Sequence, residues 1–127
     1  MKLELAGSLV EIDEAATLAW YESAENWGCE CGDCRRFVAL AEQGKLPREV
    51  AELLDALHIP AAKATYVCLL YDDLYQFSYR IAGRILELEP GDGRVRCTHE
   101  TYPYGAPGFP EPHFDLEFFF KLEKARS

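Results

Sequence analysis

The cysteine turn, residues 29–34, carries the most reactive set of side chains in the sequence. It reads Cys-Glu-Cys-Gly-Asp-Cys, so three thiols lie within six residues. Thiolates bind Zn²⁺ and iron–sulfur clusters, and zinc in a structural site takes four ligands in a tetrahedron. Cys31 and Cys34 have the spacing of a zinc knuckle, and Cys29 can supply a third thiolate. The turn therefore predicts three of the four ligands of a metal site.

The fourth ligand has to come from a distant part of the chain. Cys97 and His99 are two residues apart, which places them on the same face of a predicted strand. Either residue would complete the set, as Cys₄ or as Cys₃His. Zinc is therefore the cofactor that the sequence suggests, and the evidence for it is a single Cys-x-x-Cys pair.

Two other interpretations of the turn stay open. In the first, the cysteines are reduced, and at least one of them is buried as a small hydrophobic side chain. In the second, the turn carries out thiol redox chemistry. Cys34 begins a predicted helix beside two arginines, so the helix dipole and the guanidinium groups stabilise its thiolate, with Cys31 as the resolving thiol. The acidic neighbours Glu30 and Asp33 oppose that stabilisation.

A second candidate site, for an unidentified ligand, combines basic and aromatic residues of the C-terminal half. Its members are Arg80, Arg84, Arg94, Arg96, Tyr102 and Tyr104. The turn at residues 89–93 puts the arginines on adjacent strands, where they form a basic stripe that can hold an anion. In the alternative, the stripe is a solvated sheet face whose arginines pair with Glu87, Glu89, Glu100 and Glu117. The two tyrosines belong to a proline-rich loop that, with Phe109, predicts an exposed contact surface.

The N-terminal third predicts a hairpin followed by an ambiguous segment. Apolar residues alternate over residues 3–12, and Gly7 supplies the turn. Asp13 can cap a helix that starts at Glu14. Alternatively, residues 17–21 form an inner strand.

Two helices are predicted after the cysteine turn. The first runs from Cys34 to Gln43, with Asp33 as its cap. The second opens at Pro47, and its apolar residues recur with helical spacing up to Leu57. These helices form a hairpin with one buried face each.

From residue 66 onward the sequence predicts strands. Residues 66–71 are apolar on both faces, which predicts a central strand. A turn at Asp72 and Asp73 leads into a long alternating strand, and a third strand covers residues 95–102. The alternation at residues 114–122 predicts the last strand. The fold class is therefore α+β: an antiparallel β-sheet of about four to six strands with a helix pair packed on one face.

The composition and charge of the sequence limit the classes of function and partner that we expect. The 127 residues are 49% hydrophobic with a net charge of −9, which predicts one domain, residues 1–127, with a real core. A chain this acidic is repelled by phosphate backbones and anionic lipid, so we expect no nucleic acid and no membrane as partners. Carboxylates interrupt every N-terminal apolar run, and the odd count of five cysteines argues against a disulfide framework. The expected location is the cytoplasm.

The cysteine turn through Phe37, followed by two helices and strands that end in Phe-Asp-Leu-Glu-Phe at residues 114–118, resembles a group of small uncharacterised bacterial proteins with a CxCxxCxxF turn. The resemblance implies a bacterial cytosolic domain and implies no activity.

No catalytic constellation is recognisable, because the three histidines are scattered and no nucleophile elbow or cofactor fingerprint is present. We therefore expect a binding module, whose partner is a protein or a small molecule, rather than an enzyme. A thiol redox protein or sensor that uses Cys34 and Cys31 is the alternative. An acidic protein that masks a basic enzyme is the most specific form of the first hypothesis.

Overall fold

The computed structural model describes residues 1–23, 32–89, 93–100, 106 and 108–122. Within these ranges the chain forms six strands, three α-helices and one short 3₁₀ helix. In chain order they are β1 Lys2–Leu5, β2 Ser8–Ile12, α1 Glu14–Ser23, α2 Gly32–Glu42, α3 Arg48–Ala56, the 3₁₀ helix Ala61–Lys63, β3 Tyr66–Tyr71, β4 Leu74–Glu87, β5 Val95–Thr98 and β6 His113–Lys121.

The strands form an antiparallel sheet in the order β1-β2-β4-β6-β5, and β3 pairs with β4 as a side branch. Helix α2 packs on this sheet through Phe37, whose ring lies 4.8 Å from that of Phe77. Helix α3 adds Val50 and Leu54 to the same hydrophobic core. The predicted α+β class, with an antiparallel sheet and helices on one face, is confirmed.

Strand β4 connects the two halves of the sheet. Its first part pairs with β3 and β6, and its last part pairs with β2. The change of partner occurs at Gly83, which has a φ of +140°. A Cβ atom at Gly83 would overlap the carbonyl oxygen of Glu11, so only glycine lets β2 approach this closely. β4 therefore bends where β2 takes over from β3.

Helix α1 lies beside the part of β4 that neither β3 nor β2 pairs with. β3 pairs with β4 as far as Ser78, and β2 pairs with it from Gly83 onward. Asp13 caps it, since its Oδ1 accepts the amide of Ala16 at 3.0 Å. The Thr17 hydroxyl accepts the amide of Ala82, and the Tyr21 hydroxyl donates to the carbonyl of Arg80. Side chains of α1 thus satisfy backbone groups that no strand pairs. The helical interpretation of this segment is confirmed, and the strand alternative is wrong.

The part of the sheet formed by β4, β5 and β6 has two different faces. The aromatic face carries only apolar side chains: Tyr75, Phe77, Tyr79, Ile81, Val95, Cys97, Phe114, Leu116, Phe118 and Phe120. The polar face, on the opposite side, carries five buried polar residues: Ser78, Arg80, Thr98, Asp115 and Glu117. The alternation predicted for β6 is confirmed, but both of its faces are buried.

Three predictions of local structure are corrected. Strand β3 is not central, because in the described part of the chain it pairs with β4 alone and its last two residues are exposed. Strand β5 ends at Thr98 rather than at residue 102. Helix α2 begins at Gly32, so Asp33 is its second residue and not the residue that precedes it. The turn predicted at residues 89–93 includes residues 90–92, which lie outside the described ranges.

None of the helices that the structure describes is long and apolar enough to cross a bilayer.

Candidate functional site

Three described cysteines lie in different environments. Cys34 is half-buried in the first turn of α2, and Cys68 is half-buried on β3. Cys97 is buried on β5. Cys29 and Cys31 lie outside the described residues, so the geometry predicted for the cysteine turn stays a prediction.

Cys97 is part of the hydrophobic core. Its side chain is 2% exposed, and its thiol donates to the carbonyl oxygen of Leu5 at 3.4 Å. Burial raises the pKa of this thiol from 9.0 to about 12, so it is protonated at neutral pH. Because the form that binds a metal is the thiolate, metal binding at Cys97 would require the loss of this proton.

His99 does not share the position of Cys97. Strand β5 ends at Thr98, so the alternation that would place both residues on one face stops before His99. The His99 side chain is exposed, whereas Cys97 is buried. Within the described ranges, no group of three or more His, Cys, Asp or Glu residues could hold a metal ion. A zinc site at the cysteine turn therefore depends on Cys29 and Cys31.

The four arginines of the predicted stripe are separated by the sheet topology. Strand β6 lies between β4 and β5, so the prediction that these arginines occupy adjacent strands is wrong. Arg94 lies over the ring of Phe120, and Arg96 lies over the ring of Phe119. Because these neighbouring rings of β6 point to opposite faces, Arg94 and Arg96 are on opposite sides of the sheet.

Each of the four guanidinium groups lies beside a carboxylate. Their ion pairs are Arg80–Asp115 at 3.2 Å, Arg84–Glu11 at 3.7 Å, Arg94–Glu49 at 3.5 Å and Arg96–Glu117 at 2.6 Å. Of the carboxylates proposed in the alternative interpretation, Glu117 is the one that takes part. The carboxylates of the Arg80 and Arg96 pairs are buried, whereas the Arg84 and Arg94 pairs are longer and lie between exposed side chains.

Glu117 connects three strands across the polar face. One of its oxygens accepts the Nε of Arg96 at 2.6 Å, and the other accepts the Nε2 of Gln76 at 3.0 Å. Two register positions along, Arg80 pairs with Asp115 in a more deeply buried environment. The sequence shows these residue types but not their pairing, because the partners meet only when the register of β4 against β6 is set.

The aromatic loop is described only in part. Tyr102 and Tyr104 lie outside the described residues. Phe109 is 7% exposed, and its ring lies 4.9 Å from that of Trp20 on α1. The prediction that Phe109 belongs to an exposed contact surface is therefore wrong, because this ring is packed against α1.

A cleft of about 480 Å³ opens where β2 meets α1 and the bend of β4. Carboxylates are the commonest ionisable groups around it, and Arg84 is the one guanidinium. The lining residues are Met1, Glu11, Ile12, Asp13, Glu14, Gly83, Arg84, Glu111 and Pro112. Four segments that are distant in the sequence form this cleft, so no local sequence signal could have found it.

The end of β4 exposes two leucines beside two glutamates. Leu86 is 38% exposed and Leu88 is 53% exposed, and Glu87 and Glu89 are exposed between and after them. Leu86 lies at a register shift, since Val10 pairs with Ile85 while Leu9 pairs with Glu87. This segment begins at Gly83 and Arg84, which also line the cleft.

Comparison of the chain with protein-family models, with curated proteins and with solved structures finds no match. What the protein does must therefore be inferred from its charge distribution, its cleft and its exposed segments.

Proposed function

We propose that this protein is a cytoplasmic binding module whose partner is a basic protein. The observation that carries the proposal is the pairing of the four arginines with Asp115, Glu11, Glu49 and Glu117. Each of these four cations is thus offset by a neighbouring carboxylate. Among the described residues, more exposed carboxylates than exposed basic side chains lie outside the ion pairs.

The net charge of −9 supports recognition of a positively charged partner. A negative surface attracts a positive partner over distances comparable with the Debye length, about 8 Å at physiological salt. It raises the association rate and disfavours acidic partners. A small acidic protein that masks a basic enzyme, in the manner of an immunity protein, fits this description. The resemblance to small bacterial proteins with the same cysteine turn supports a bacterial cytosolic setting.

Salt-dependent capture tests the proposal. The immobilised protein is incubated with an extract of the source organism at low salt, and retained proteins are eluted with a salt gradient and identified. We expect a retained protein with a high isoelectric point that elutes early in the gradient. Retention of acidic proteins only, or of none, would contradict the proposal.

Matched charge variants sharpen this test. The first variant converts four exposed carboxylates to amides, at Glu4, Glu42, Asp55 and Glu87. We expect it to capture the basic partner more weakly than the wild type does. The control converts as many exposed basic residues to glutamine, namely Lys2, Arg35, Arg36 and Lys45. We expect the control to bind as well as the wild type or better, because it makes the surface more negative. Equal loss in both variants would show that the effect is not electrostatic.

Thiol redox chemistry is the second candidate, and the position of Cys34 favours it. This residue is the third of α2, in the first turn, where the positive end of the helix dipole stabilises a thiolate. Alkylation by iodoacetamide as a function of pH measures this directly, with half-buried Cys68 as the internal control. Labelling of Cys34 that reaches its maximal rate well below pH 8, ahead of Cys68, would support the candidate. Equal rates at all pH values would remove it.

Zinc binding at the turn is tested separately. Elemental mass spectrometry of untagged protein purified without chelator gives the metal content per chain. About one zinc that is lost in a Cys34→Ala variant and kept in a Cys97→Ala variant is the result expected of a site built on the turn. Wild-type protein without zinc would contradict a zinc site.

A further inference from the structure

The end of β4 has one paired side and one side that no described strand covers. Strand β6 pairs with β4 from Leu74 to Ala82, and a last hydrogen bond joins the amide of Gly83 to the carbonyl of Pro112. On the other side, β2 pairs with β4 up to Glu87, and the amide of Glu89 donates to the Ser8 hydroxyl at 2.8 Å. Residues 84–89 thus extend beyond β6 while they are still held by β2. We refer to their uncovered side as the open edge.

The open edge is accessible to solvent. Of residues 84–89, only Ile85 is half-buried, and the other five are exposed. By contrast, the first four residues of β3, the side branch of the sheet, are all half-buried. The open edge is therefore more exposed to solvent than the first four residues of β3.

Beyond Arg84, which pairs with Glu11 of β2, side chains on the open edge combine apolar and acidic character. Leu86 and Leu88 are exposed apolar side chains, and Glu87 and Glu89 alternate with them. Exposed edge strands invite pairing with another strand, and charged residues on the edge limit which strands can pair. A second copy of this chain would place glutamates against glutamates, which disfavours self-association. An extended segment with basic residues would place opposite charges across from each other.

We propose that the open edge is the docking site for the basic partner, which adds an extended segment of alternating basic and apolar residues to β4. This inference rests on the proposed function and names the surface that performs it. Backbone hydrogen bonds to residues 84–88 supply affinity, as in other cases of strand addition. The apolar side chains of the segment cover Leu86 and Leu88, and its basic side chains lie beside Glu87 and Glu89. Toward Gly83 the edge leads to the acidic cleft, so a further basic residue of the partner can enter it.

Peptide binding tests the proposal. The probe is a fluorescently labelled peptide of alternating lysine and valine, and its counterpart carries glutamate in place of lysine. Fluorescence anisotropy at low salt should show binding of the lysine peptide only. Hydrogen exchange of the complex should show slowed exchange at residues 84–88. Binding without protection at these residues would overturn the proposal, because it would show a nonspecific attraction between opposite charges.

Backbone pairing is tested with a third peptide, in which the lysine–valine sequence is N-methylated at alternate residues. This peptide keeps its charge and loses half of its amide donors. We expect it to bind at least about tenfold more weakly, since strand addition depends on those donors. Unchanged affinity would overturn the proposal.

Two leucine variants localise the site. Leu88→Lys puts a positive charge on the open edge and should lower the affinity for the lysine peptide by about tenfold or more. Leu70→Lys, at a leucine on β3 that is 42% exposed, is the matched control and should leave the affinity within about twofold. Equal effects of the two variants would overturn the proposal.

A charge reversal gives a gain of binding that misfolding cannot imitate. The double variant Glu87→Lys with Glu89→Lys should prefer the glutamate peptide to the lysine peptide. An unchanged preference for the lysine peptide would place the binding surface elsewhere.

Capture experiments separate this inference from the proposed function. If Leu88→Lys and the double variant still retain the basic protein of the wild type, the docking site is wrong and the binding function stands. If the wild type retains no basic protein, the proposed function fails. If the wild-type protein instead elutes as a dimer that Leu88→Lys dissociates, a second copy occupies the edge and the proposal is wrong.

Discussion

The Nε atom of Arg80 lies 3.2 Å from the Oδ1 atom of Asp115, and these two side chains are only 4% and 3% exposed. Arg80 is on β4 and Asp115 is directly opposite it on β6. A buried ion pair gains little net stability over an apolar pair of the same volume, but removal of one partner leaves a charge without compensation. We therefore expect this pair to favour one alignment of the two longest strands more than it stabilises the fold.

We predict that Arg80→Met destabilises the protein by about 3–5 kcal/mol, because Asp115 then stays buried without its main counter-charge. The double variant Arg80→Met with Asp115→Leu should recover most of that loss. The exposed pair Arg48–Glu52 provides the control, since Arg48→Met should cost no more than about 0.5 kcal/mol. Urea unfolding followed by circular dichroism measures all three variants. A double variant less stable than Arg80→Met alone would contradict the prediction.

Cys97 makes stability depend on alkaline pH. Burial raises its pKa from 9.0 to about 12, so between these values the unfolded chain has lost this proton and the folded chain has kept it. The contribution of Cys97 to the free energy of unfolding is therefore fully present below pH 9, and it is lost as the pH rises toward 12. This thiol alone should lower the free energy of unfolding by about 1.4 kcal/mol between pH 8 and pH 10.

The Cys97→Val variant should lose that part of the pH dependence, whereas Cys68→Val should keep it. Urea midpoints of the three proteins at pH 8 and pH 10 give the comparison. Buried Tyr21 and Tyr79, whose pKa values are also raised by burial, contribute equally to all three proteins and cancel in the differences. The same pH dependence in Cys97→Val and in the wild type would show that the thiol is not buried in solution.

Gly83 is the residue on which the bend of β4 depends. Alanine at this position would adopt a φ of +140° with its Cβ against the Glu11 carbonyl. We expect Gly83→Ala to cost about 3 kcal/mol or more, because the backbone of β2 has to move away. Gly44→Ala is the matched control: φ is +70° there, but no atom lies within 4 Å of the added Cβ. That change should cost about 1 kcal/mol. Thermal unfolding of both variants provides the measurement, and equal losses would argue against the close approach of β2.

His113 makes stability depend on acidic pH. Burial lowers the pKa of this imidazole, and the positive charge of Arg80 lowers it further. The unfolded chain therefore takes up a proton near pH 6.5 while the folded chain does not, so stability falls as the pH falls below that value. His113→Gln should remove this part of the pH dependence, and the exposed His58→Gln should not. Titration of the His113 ring protons by NMR checks the direction of the shift, and a midpoint above 6.5 would refute it.

Local patterns in the sequence were sufficient for most elements. The Gly7 turn and the alternation of β6 are each determined within a few residues, and the structure confirms both. The segment after Asp13 allowed either a capped helix or a strand, and the structure shows the capped helix. The error at β3 has a physical reason. Apolar residues on both faces report that side chains are partly covered, but they do not report how many strands pair with the backbone. Residues 66–69 are partly covered by packing, although β4 is the one partner of β3 among the described strands.

The candidate site could be predicted only as a set of residue types. Arg80 and Arg96 were recognisable as charges on strands, but their partners Asp115 and Glu117 depend on the placement of β6 between β4 and β5. The open edge depends on β6 starting at His113, so that β4 extends beyond it. Such relationships are set by strand order, which periodicity does not encode.

The position of β4 between β2 and β6 has a consequence for protein synthesis. The ribosome makes the hairpin of β1 and β2 first, but its partner β4 comes much later, and β4 is flanked by β6 only after residue 121 has been added. Until then the nascent chain cannot bury Leu5, Val10 and Ile12 in the core that they join in the finished protein. The complete sheet is therefore expected to fold only after β6 has emerged from the ribosome. A nascent chain stalled before His113 would display its N-terminal hairpin to chaperones.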